Sequence, residues 1–142
     1  MVVHTVGHSN LRFDEFVASL ERHGVELIVD VRSVPRSRFA AWSTAPGVAN
    51  RLAERGIAYV YLGGPLGGRP PGGGTPDYDA MAAEPAYLAA IDDLVALAAD
   101  RRIAIMCSEG DPLRCHREHL VGRTLRERGV EVRHILRRGE LG

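Results

Sequence analysis

The sequence predicts an α/β protein, a three-layer α/β/α domain around a mainly parallel sheet of about five strands. Short apolar runs alternate along the chain with amphipathic segments of helical spacing. The apolar runs are nearly continuous, which is typical of strands buried on both faces of a parallel sheet. A length of 142 residues suits a single core, so we expect residues 1–142 to form one domain.

The first third of the chain predicts two strands with a helix between them. Val2–Val6 is a short strand candidate that ends in a turn-like cluster. From Phe13 to Leu20 the apolar side chains recur at helical spacing, and Gly24 is a natural end for that helix. Val25–Val31 is the second strand, and the basic loop Arg32–Arg38 follows it.

The middle of the chain predicts a short helix, a strand and a long loop. The helix spans Pro46–Arg55, with proline in its first turn and Gly56 as its stop. Ile57–Leu62 is the third strand. The stretch Gly63–Pro76 contains seven glycines and four prolines, so we expect a loop. Its length is typical of a functional segment or a lid.

The last part of the chain predicts two helices and two strands. Apolar residues from Tyr87 to Ala98 form a long amphipathic helix. The fourth strand, Arg102–Met106, leads into a polar loop, and Glu118–Arg128 is the last helix. Val130–Leu136 is the final strand.

Polar residues follow four of the predicted strands where each strand ends. His8 and Ser9 follow the first strand, Arg32 the second, Tyr61 the third and Cys107 the fourth. In a parallel sheet these ends share one edge, where ligands bind. We therefore expect His8, Arg32, Tyr61 and Cys107 to line one cleft.

Within this edge, the loop from Cys107 to Arg117 has the densest collection of reactive groups. It contains both cysteines, a histidine, two arginines and two acids between a buried strand and a helix start. Free backbone N–H groups and the positive end of the helix dipole converge at such a position and favour anions.

Four segments of the sequence also carry a resemblance to a known family. They are Val6-Gly-His-Ser-Asn10, Val29-Asp-Val-Arg-Ser-Val-Pro-Arg-Ser37, Leu66-Gly-Gly68 and Cys107-x-Glu109…Pro112…Cys115-His-Arg117. Together they resemble the domain-of-unknown-function 488 family from about Val3 to Ile135. The resemblance implies a compact, mainly prokaryotic, cytosolic α/β domain with its motif residues in a cleft. It implies no established reaction.

Four residues are the candidates for catalysis. Cys107 is a potential nucleophile, because a helix N-terminus and Arg117 favour the thiolate. Glu109 lies in the same loop and opposes that effect. A buried, inert cysteine is the alternative interpretation. His8 and His116 are the acid–base candidates, and for His8 a hydrogen bond within its own turn is the alternative.

Arg117 is predicted to point inward. Helical spacing places it on the same side as Leu113 and Leu120, the side that faces the sheet. A buried guanidinium needs a carboxylate partner, and Asp30 or Glu109 is expected to supply it. The pair is either part of a site or a structural ion pair that holds the loop.

Two residues are expected to support the site. The same helical spacing places Cys115 on the outer side of the helix, at the rim of the cleft. His134 alternates with apolar residues on one strand face, which predicts a core or supporting position.

Substrate binding is expected to use hydroxyl groups and positive charge at the same edge. The candidates are Ser9, Arg32, Arg36, Arg38, Tyr61, Arg69 and Arg117. Guanidinium groups fit phosphate oxygens, and Phe39 and Trp42 behind the basic loop have rings on which a base can stack. A solvated loop is the alternative for the basic segment.

Three functions remain open from the sequence. The first is an enzyme that acts on a small anionic substrate, a nucleotide or another phosphorylated molecule. The second is a nucleic-acid or nucleotide-binding module without catalysis, and the third is a thiol redox protein that uses Cys107 and Cys115. No cofactor is predicted. A metal bound by Cys107, Cys115, His116 and His8 is disfavoured, because their spacing matches no standard zinc motif.

Charge and composition restrict the setting. Eighteen basic residues balance eighteen acidic ones, so no overall field attracts nucleic acid or a membrane surface. No apolar run approaches the ~18 residues of a membrane span, and no signal peptide is recognised. Two cysteines in such a chain indicate a reducing compartment, so we expect a cytoplasmic protein without membrane contact.

Overall fold

A computed structural model describes residues 1–70 and 72–142, and its centre is a five-stranded sheet. The strands are β1 (Val2–Gly7), β2 (Leu27–Asp30), β3 (Ala58–Tyr61), β4 (Ile103–Cys107) and β5 (Glu131–Ile135). They lie in the order β3-β2-β4-β1-β5, and all four pairings are parallel. The predicted parallel sheet is therefore confirmed, with β2 and β3 shorter than the apolar runs that contain them.

Helices cover both faces of this sheet. They are α1 (Phe13–Arg22), α2 (Gly47–Ala53), α3 (Gly63–Leu66), α4 (Tyr78–Ala82), α5 (Pro85–Asp100) and α6 (Arg123–Glu127). On one face, Phe16 of α1 and Leu52 of α2 pack with Met106 of β4. On the other face, Leu94 of α5 and Leu125 of α6 pack with strand residues whose side chains point to that face. Within the described residues, none of the helices is long and apolar enough to cross a membrane.

The strand order explains where crevices open at the edge of the sheet. The connections from β1 to β2 and from β2 to β3 pass through α1 and α2 on one face. The connection from β4 to β5 passes through α6 on the other face. Strand β4 lies between β2 and β1. The chain therefore leaves β4 toward one face of the sheet, whereas it leaves both neighbouring strands, β2 and β1, toward the other face. This divergence opens a crevice on each side of the carboxyl end of β4.

The connection after β4 differs from the regular helix that the sequence predicts. A 3₁₀ turn spans Pro112–Arg114, and Asp111 caps it by accepting a hydrogen bond from the backbone N–H of Leu113 at 3.0 Å. A π-helical segment, Arg117–Gly122, then leads into α6. A Cβ atom on Gly122 would lie 2.6 Å from the carbonyl oxygen of Arg117, so the wide turn depends on glycine there.

The predicted long loop Gly63–Pro76 is wrong over its first four residues, which form α3. Leu66 drives this difference, because its side chain is fully buried in the core under α5. The backbone N–H of Arg69 then donates to Ser33 Oγ at 3.1 Å, which ties the segment to the loop after β2. Pro71, within the predicted loop, lies outside the described residues.

Candidate functional site

A cleft of about 1010 Å³ opens at the carboxyl edge of the sheet, between the loops that follow β2 and β4. Both cysteines and a group of basic side chains are among the residues that line it: Arg32, Arg36, Arg38, Arg69, Arg114, Cys107, Cys115 and His116. Glu109 lines the same cleft. The predicted site therefore lies in the crevice between β2 and β4.

The two cysteines meet in the wall of this cleft. Cys107 is the last residue of β4, and Cys115 follows the 3₁₀ turn in an extended conformation. Both side chains are buried, and their sulfur atoms lie 2.7 Å apart. The prediction that Cys115 faces outward is wrong, because it assumed a helix at a position where the chain is extended and turns back toward the sheet.

The two sulfur atoms differ in acidity. The pKa of Cys115 is lowered to about 4 by the hydrogen bond from Cys107, with further contributions from His116 and the backbone N–H of Arg117. Burial raises the pKa of Cys107 well above its ordinary value, and the hydrogen bond to Cys115 acts in the same direction. Both shifts run opposite to the expectation that Cys107 is the activated thiol, and they favour Cys115 in that role.

His116 is oriented toward the Cys115 sulfur. Its Nε2–H donates to the carbonyl oxygen of Val31 at 2.9 Å, and Nδ1 lies 3.6 Å from Cys115 Sγ. Gly68 packs against the ring so closely that a Cβ atom would lie 2.6 Å from its Cγ. A thiol, an imidazole and a group that orients the imidazole are the parts of an activated nucleophile.

Arg117 is fully buried behind the two sulfur atoms, as predicted. Its Nε donates to Thr5 Oγ1 at 3.0 Å, and Nη1 donates to Cys107 Sγ at 2.9 Å. Nη1 also donates to the carbonyl oxygen of Glu109, and Nη2 to that of Gly110 at 3.1 Å. The prediction of a carboxylate partner is wrong, since sulfur, hydroxyl and carbonyl groups hold this guanidinium.

Asp30 is unavailable to Arg117 because Arg32, two residues later, occupies it. Arg32 Nη2 lies 2.8 Å from Asp30 Oδ2, and both side chains are buried. Tyr59 donates its hydroxyl to the same oxygen at 2.6 Å. Arg32 also donates to the hydroxyl and the carbonyl of Ser43, at 3.0 and 2.7 Å. The guanidinium of Arg32 is thus directed into the protein, where it holds the loop after β2.

The four residues predicted to line one cleft share the same edge but not the same cavity. Arg32 and Cys107 line the main cleft. His8 and Ser9 line an adjoining cavity of about 320 Å³. His8 is buried, donates from Nδ1 to the carbonyl oxygen of Ser9 at 2.9 Å, and has its pKa lowered mainly by burial. Tyr61 lines neither cavity and donates to the carbonyl oxygen of Arg32 at 2.7 Å.

The two aromatic residues that the sequence suggested for stacking lie in different places. Trp42 packs on Phe16 with ring centroids 4.8 Å apart and donates to the carbonyl oxygen of Leu11 at 2.9 Å. Phe39 lines the cleft, with a side chain that is 74% exposed. The guanidinium of Arg38 lies 5.5 Å from the centre of the Phe39 ring. A basic side chain and an aromatic ring therefore meet at the rim.

The family model described as domain of unknown function DUF488 matches residues 12–124. The chain belongs to the DUF488 family. The match includes the Asp30-Val-Arg32 and Cys115-His-Arg117 motifs, and it is shorter than the resemblance from Val3 to Ile135. No curated protein and no solved structure matches the chain. The DUF488 description assigns no reaction, so the chemistry has to be inferred from the residues that line the cleft.

Two residues near the sulfur pair that sequence reasoning missed are Thr5 and Glu118. His134, buried as predicted, lies between them, with Nδ1 2.6 Å from Thr5 Oγ1 and Nε2 2.6 Å from Glu118 Oε2. Thr5 and His134 are direct neighbours in the register of β1 and β5. That register is the signal that reveals the contact, and it is visible only in the folded sheet.

No group of three or more His, Cys, Asp or Glu side chains in residues 1–70 and 72–142 is arranged to hold a metal ion. The four ligand types considered from the sequence are divided between two cavities, since Cys107, Cys115 and His116 line the cleft and His8 lines the adjoining one.

Proposed function

We propose that this protein is an enzyme that acts on a small anionic substrate, with Cys115 as its nucleophile. The observation that carries the proposal is the acidic Cys115 sulfur beside His116 in the wall of an arginine-lined cleft. The thiolate is the reactive form of cysteine, and a pKa of about 4 keeps it populated at neutral pH.

The buried charge of Arg117 gives a second reason for a thiolate. Within the described part of the chain, Arg117 takes part in none of the salt bridges. Burying an uncompensated cation is costly. A negative charge shared by Cys115 and Cys107 supplies the compensation, because Arg117 donates to the Cys107 sulfur.

The substrate class follows from the cleft arginines. Arg36, Arg38, Arg69 and Arg114 are exposed, and among the described residues they form no salt bridge. Guanidinium groups bind phosphate and carboxylate oxygens in paired hydrogen bonds. Four such groups favour a substrate with more than one negative charge, such as a phosphorylated molecule or a nucleotide whose base contacts Phe39.

The reaction class is covalent catalysis at sulfur. Cys115 Sγ attacks the electrophilic atom of the substrate, and the bond to the leaving group breaks as His116 supplies a proton. Water then attacks the covalent intermediate and gives a proton to His116, and the bond to sulfur breaks to restore the Cys115 thiolate. Both cysteines must be reduced for this chemistry, so we place the activity in the cytoplasm.

Alkylation tests the proposal. Iodoacetamide labels thiolates, and tryptic cleavage after Arg114 separates the Cys107 peptide from the Cys115 peptide. We expect Cys115 to be labelled with a midpoint near its pKa of about 4, and Cys107 to remain unlabelled at neutral pH. Inorganic phosphate should slow the labelling of Cys115 by about tenfold if it occupies the arginine cluster.

Matched variants locate the anion site. Arg36→Ala with Arg69→Ala should abolish the protection by phosphate, whereas Arg138→Ala, an exposed arginine away from the cleft, should retain it. A Cys115 midpoint at or above about 8.5, the value of a free thiol, would remove Cys115 as the nucleophile. Equal protection in both variants would remove the arginine cluster as the anion site.

A dithiol redox protein is the second candidate, and the 2.7 Å contact between the two sulfur atoms favours it. Cys115 would attack glutathione disulfide and release one glutathione thiol, and Cys107 would then displace the second glutathione to close a Cys107–Cys115 disulfide. In glutathione buffers of defined potential, this candidate predicts that the two tryptic peptides become linked reversibly. Mixed disulfides alone, with no linked peptides, would exclude it.

A further inference from the structure

A chain of hydrogen bonds runs behind the cysteine pair, away from the cleft. Glu118 Oε2 and His134 Nε2 lie 2.6 Å apart, as do His134 Nδ1 and Thr5 Oγ1. Thr5 Oγ1 is 3.0 Å from Arg117 Nε, and Arg117 Nη1 is 2.9 Å from Cys107 Sγ. The chain thus connects a half-buried carboxylate to the sulfur pair.

The donor at each link follows from the two ends of the chain. Arg117 Nε can only donate, so Thr5 Oγ1 accepts from it. The Glu118 carboxylate can only accept, so a neutral His134 has its hydrogen on Nε2 and accepts at Nδ1 from the Thr5 hydroxyl. At the other end, Arg117 donates to Cys107 Sγ, and the Cys107 thiol donates to the Cys115 sulfur.

The fold gives each link a fixed position. Thr5 and His134 are paired residues on the neighbouring strands β1 and β5. Arg117 and Glu118 are successive residues of the π-helical segment. Arg117 contacts Thr5, and Glu118 contacts His134. The four side chains therefore form a ring that is closed through the backbone between Arg117 and Glu118.

The surroundings of His134 favour the neutral ring that this arrangement requires. Burial lowers the pKa of His134, Arg117 and Arg126 act in the same direction, and Glu118 opposes them. Arg126 also forms a salt bridge with Glu118. Glu118 is thus held between a histidine and an arginine, and its pKa is lowered although its partial burial acts in the opposite direction.

We propose that Thr5 and His134 are positioning residues for the Cys115 nucleophile, which they influence through Arg117 and Cys107. This inference rests on the proposed function in that it takes Cys115 as the reactive thiolate. Thr5 fixes the Arg117 guanidinium against Cys107, and this contact directs the Cys107 thiol toward Cys115. Without the Thr5 hydroxyl, Arg117 loses the partner of its Nε and one of the contacts that fix its guanidinium, and the Cys115 thiolate loses stabilisation.

The test is the pH profile of Cys115 alkylation by iodoacetamide in three threonine variants. Thr5→Val removes the hydroxyl at nearly constant volume and should raise the Cys115 midpoint by about one pH unit, a tenfold loss of thiolate below the midpoint. Thr5→Ser keeps the hydroxyl and should match the unmodified protein. Thr124→Val is the matched control, because Thr124 is also buried and bonds Tyr87 at 2.6 Å instead of Arg117.

The outcomes separate this inference from the proposed function. A raised midpoint in Thr5→Val alone supports the positioning role. An unchanged midpoint in Thr5→Val, or an equal rise in Thr124→Val, overturns it while the low midpoint and phosphate protection of the unmodified protein still stand. If Thr5→Val does not fold, Thr5→Ala leaves space in place of the hydroxyl and decides by the same midpoint. A free-thiol midpoint in the unmodified protein overturns both proposals.

Discussion

Replacing Asp30 with alanine removes the carboxylate on which two neighbouring side chains depend. Arg32 and Tyr59 both contact Asp30, and all atoms of the carboxylate are buried. The change leaves the buried guanidinium of Arg32 without a carboxylate, and its remaining partners are the two oxygens of Ser43 and Nε2 of His8. Breaking a buried pair in this way costs about 3–5 kcal/mol of unfolding free energy. Because domains have about 5–15 kcal/mol in total, Asp30→Ala should be marginally stable.

Urea unfolding measures this loss. With a slope of about 1–3 kcal/mol per molar urea, the midpoint should fall by an amount on the order of 2 M. Arg55→Ala is the control, because it removes exposed pairs with Asp14 and Glu21 and should cost at most about 1 kcal/mol.

A double variant then identifies the cause. Most of the loss should come from the stranded cation, so Asp30→Ala with Arg32→Met should be more stable than Asp30→Ala alone. A loss below about 1 kcal/mol in Asp30→Ala, or a double variant less stable than the single one, would refute the reasoning.

Two further predictions concern the cleft and the opposite end of the sheet. Gly68→Ala should slow the alkylation of Cys115, because the new Cβ atom would lie 2.6 Å from the His116 ring. Gly64→Ala is the control and should leave the alkylation rate unchanged, because Gly64 has open space around it. His4 has its pKa lowered to about 4, mainly by burial and then by His23, so the unfolded chain binds its proton first. The free energy of unfolding should therefore fall as the pH drops from about 6.5 toward 4. In urea titrations, His4→Gln should reduce this dependence of stability on pH. An unchanged pH dependence in His4→Gln would contradict the assignment to His4.

The sheet and its edge were accessible from the sequence because apolar runs and turn residues determine them locally. Val2–Val6 and Arg102–Met106 are too short and too apolar for surface helices, and each is followed by polar loop residues. Parallel pairing then requires the strand ends to share an edge. The edge was therefore predicted correctly, whereas the division of its residues between two cavities depends on the strand order.

The partners of Arg117 show where sequence reasoning stops. Helical spacing predicted its inward direction correctly. The same spacing wrongly placed Leu113 on the inner side, because in the structure 69% of the Leu113 side chain is exposed. The error arises because Leu113 lies in a 3₁₀ turn and Arg117 begins a π-helical segment. Asp30 is not the partner of Arg117 because Arg32, only two residues away in sequence, pairs with Asp30. Arg117 contacts Thr5 instead.

The strand order also explains why the two histidine candidates differ. Strand β4 has one crevice toward β2 and another toward β1, and the loop after β4 contributes Ser108 and Glu109 to both. On the β1 side the crevice is small and contains the buried His8. On the β2 side the larger cleft brings the arginines and His116 to the sulfur of Cys115. Under the proposed function, an anion bound by the arginines would therefore lie beside both Cys115 and His116. His8 lies on the other side of β4 and contacts Arg32, with its Nε2 3.3 Å from Nη1.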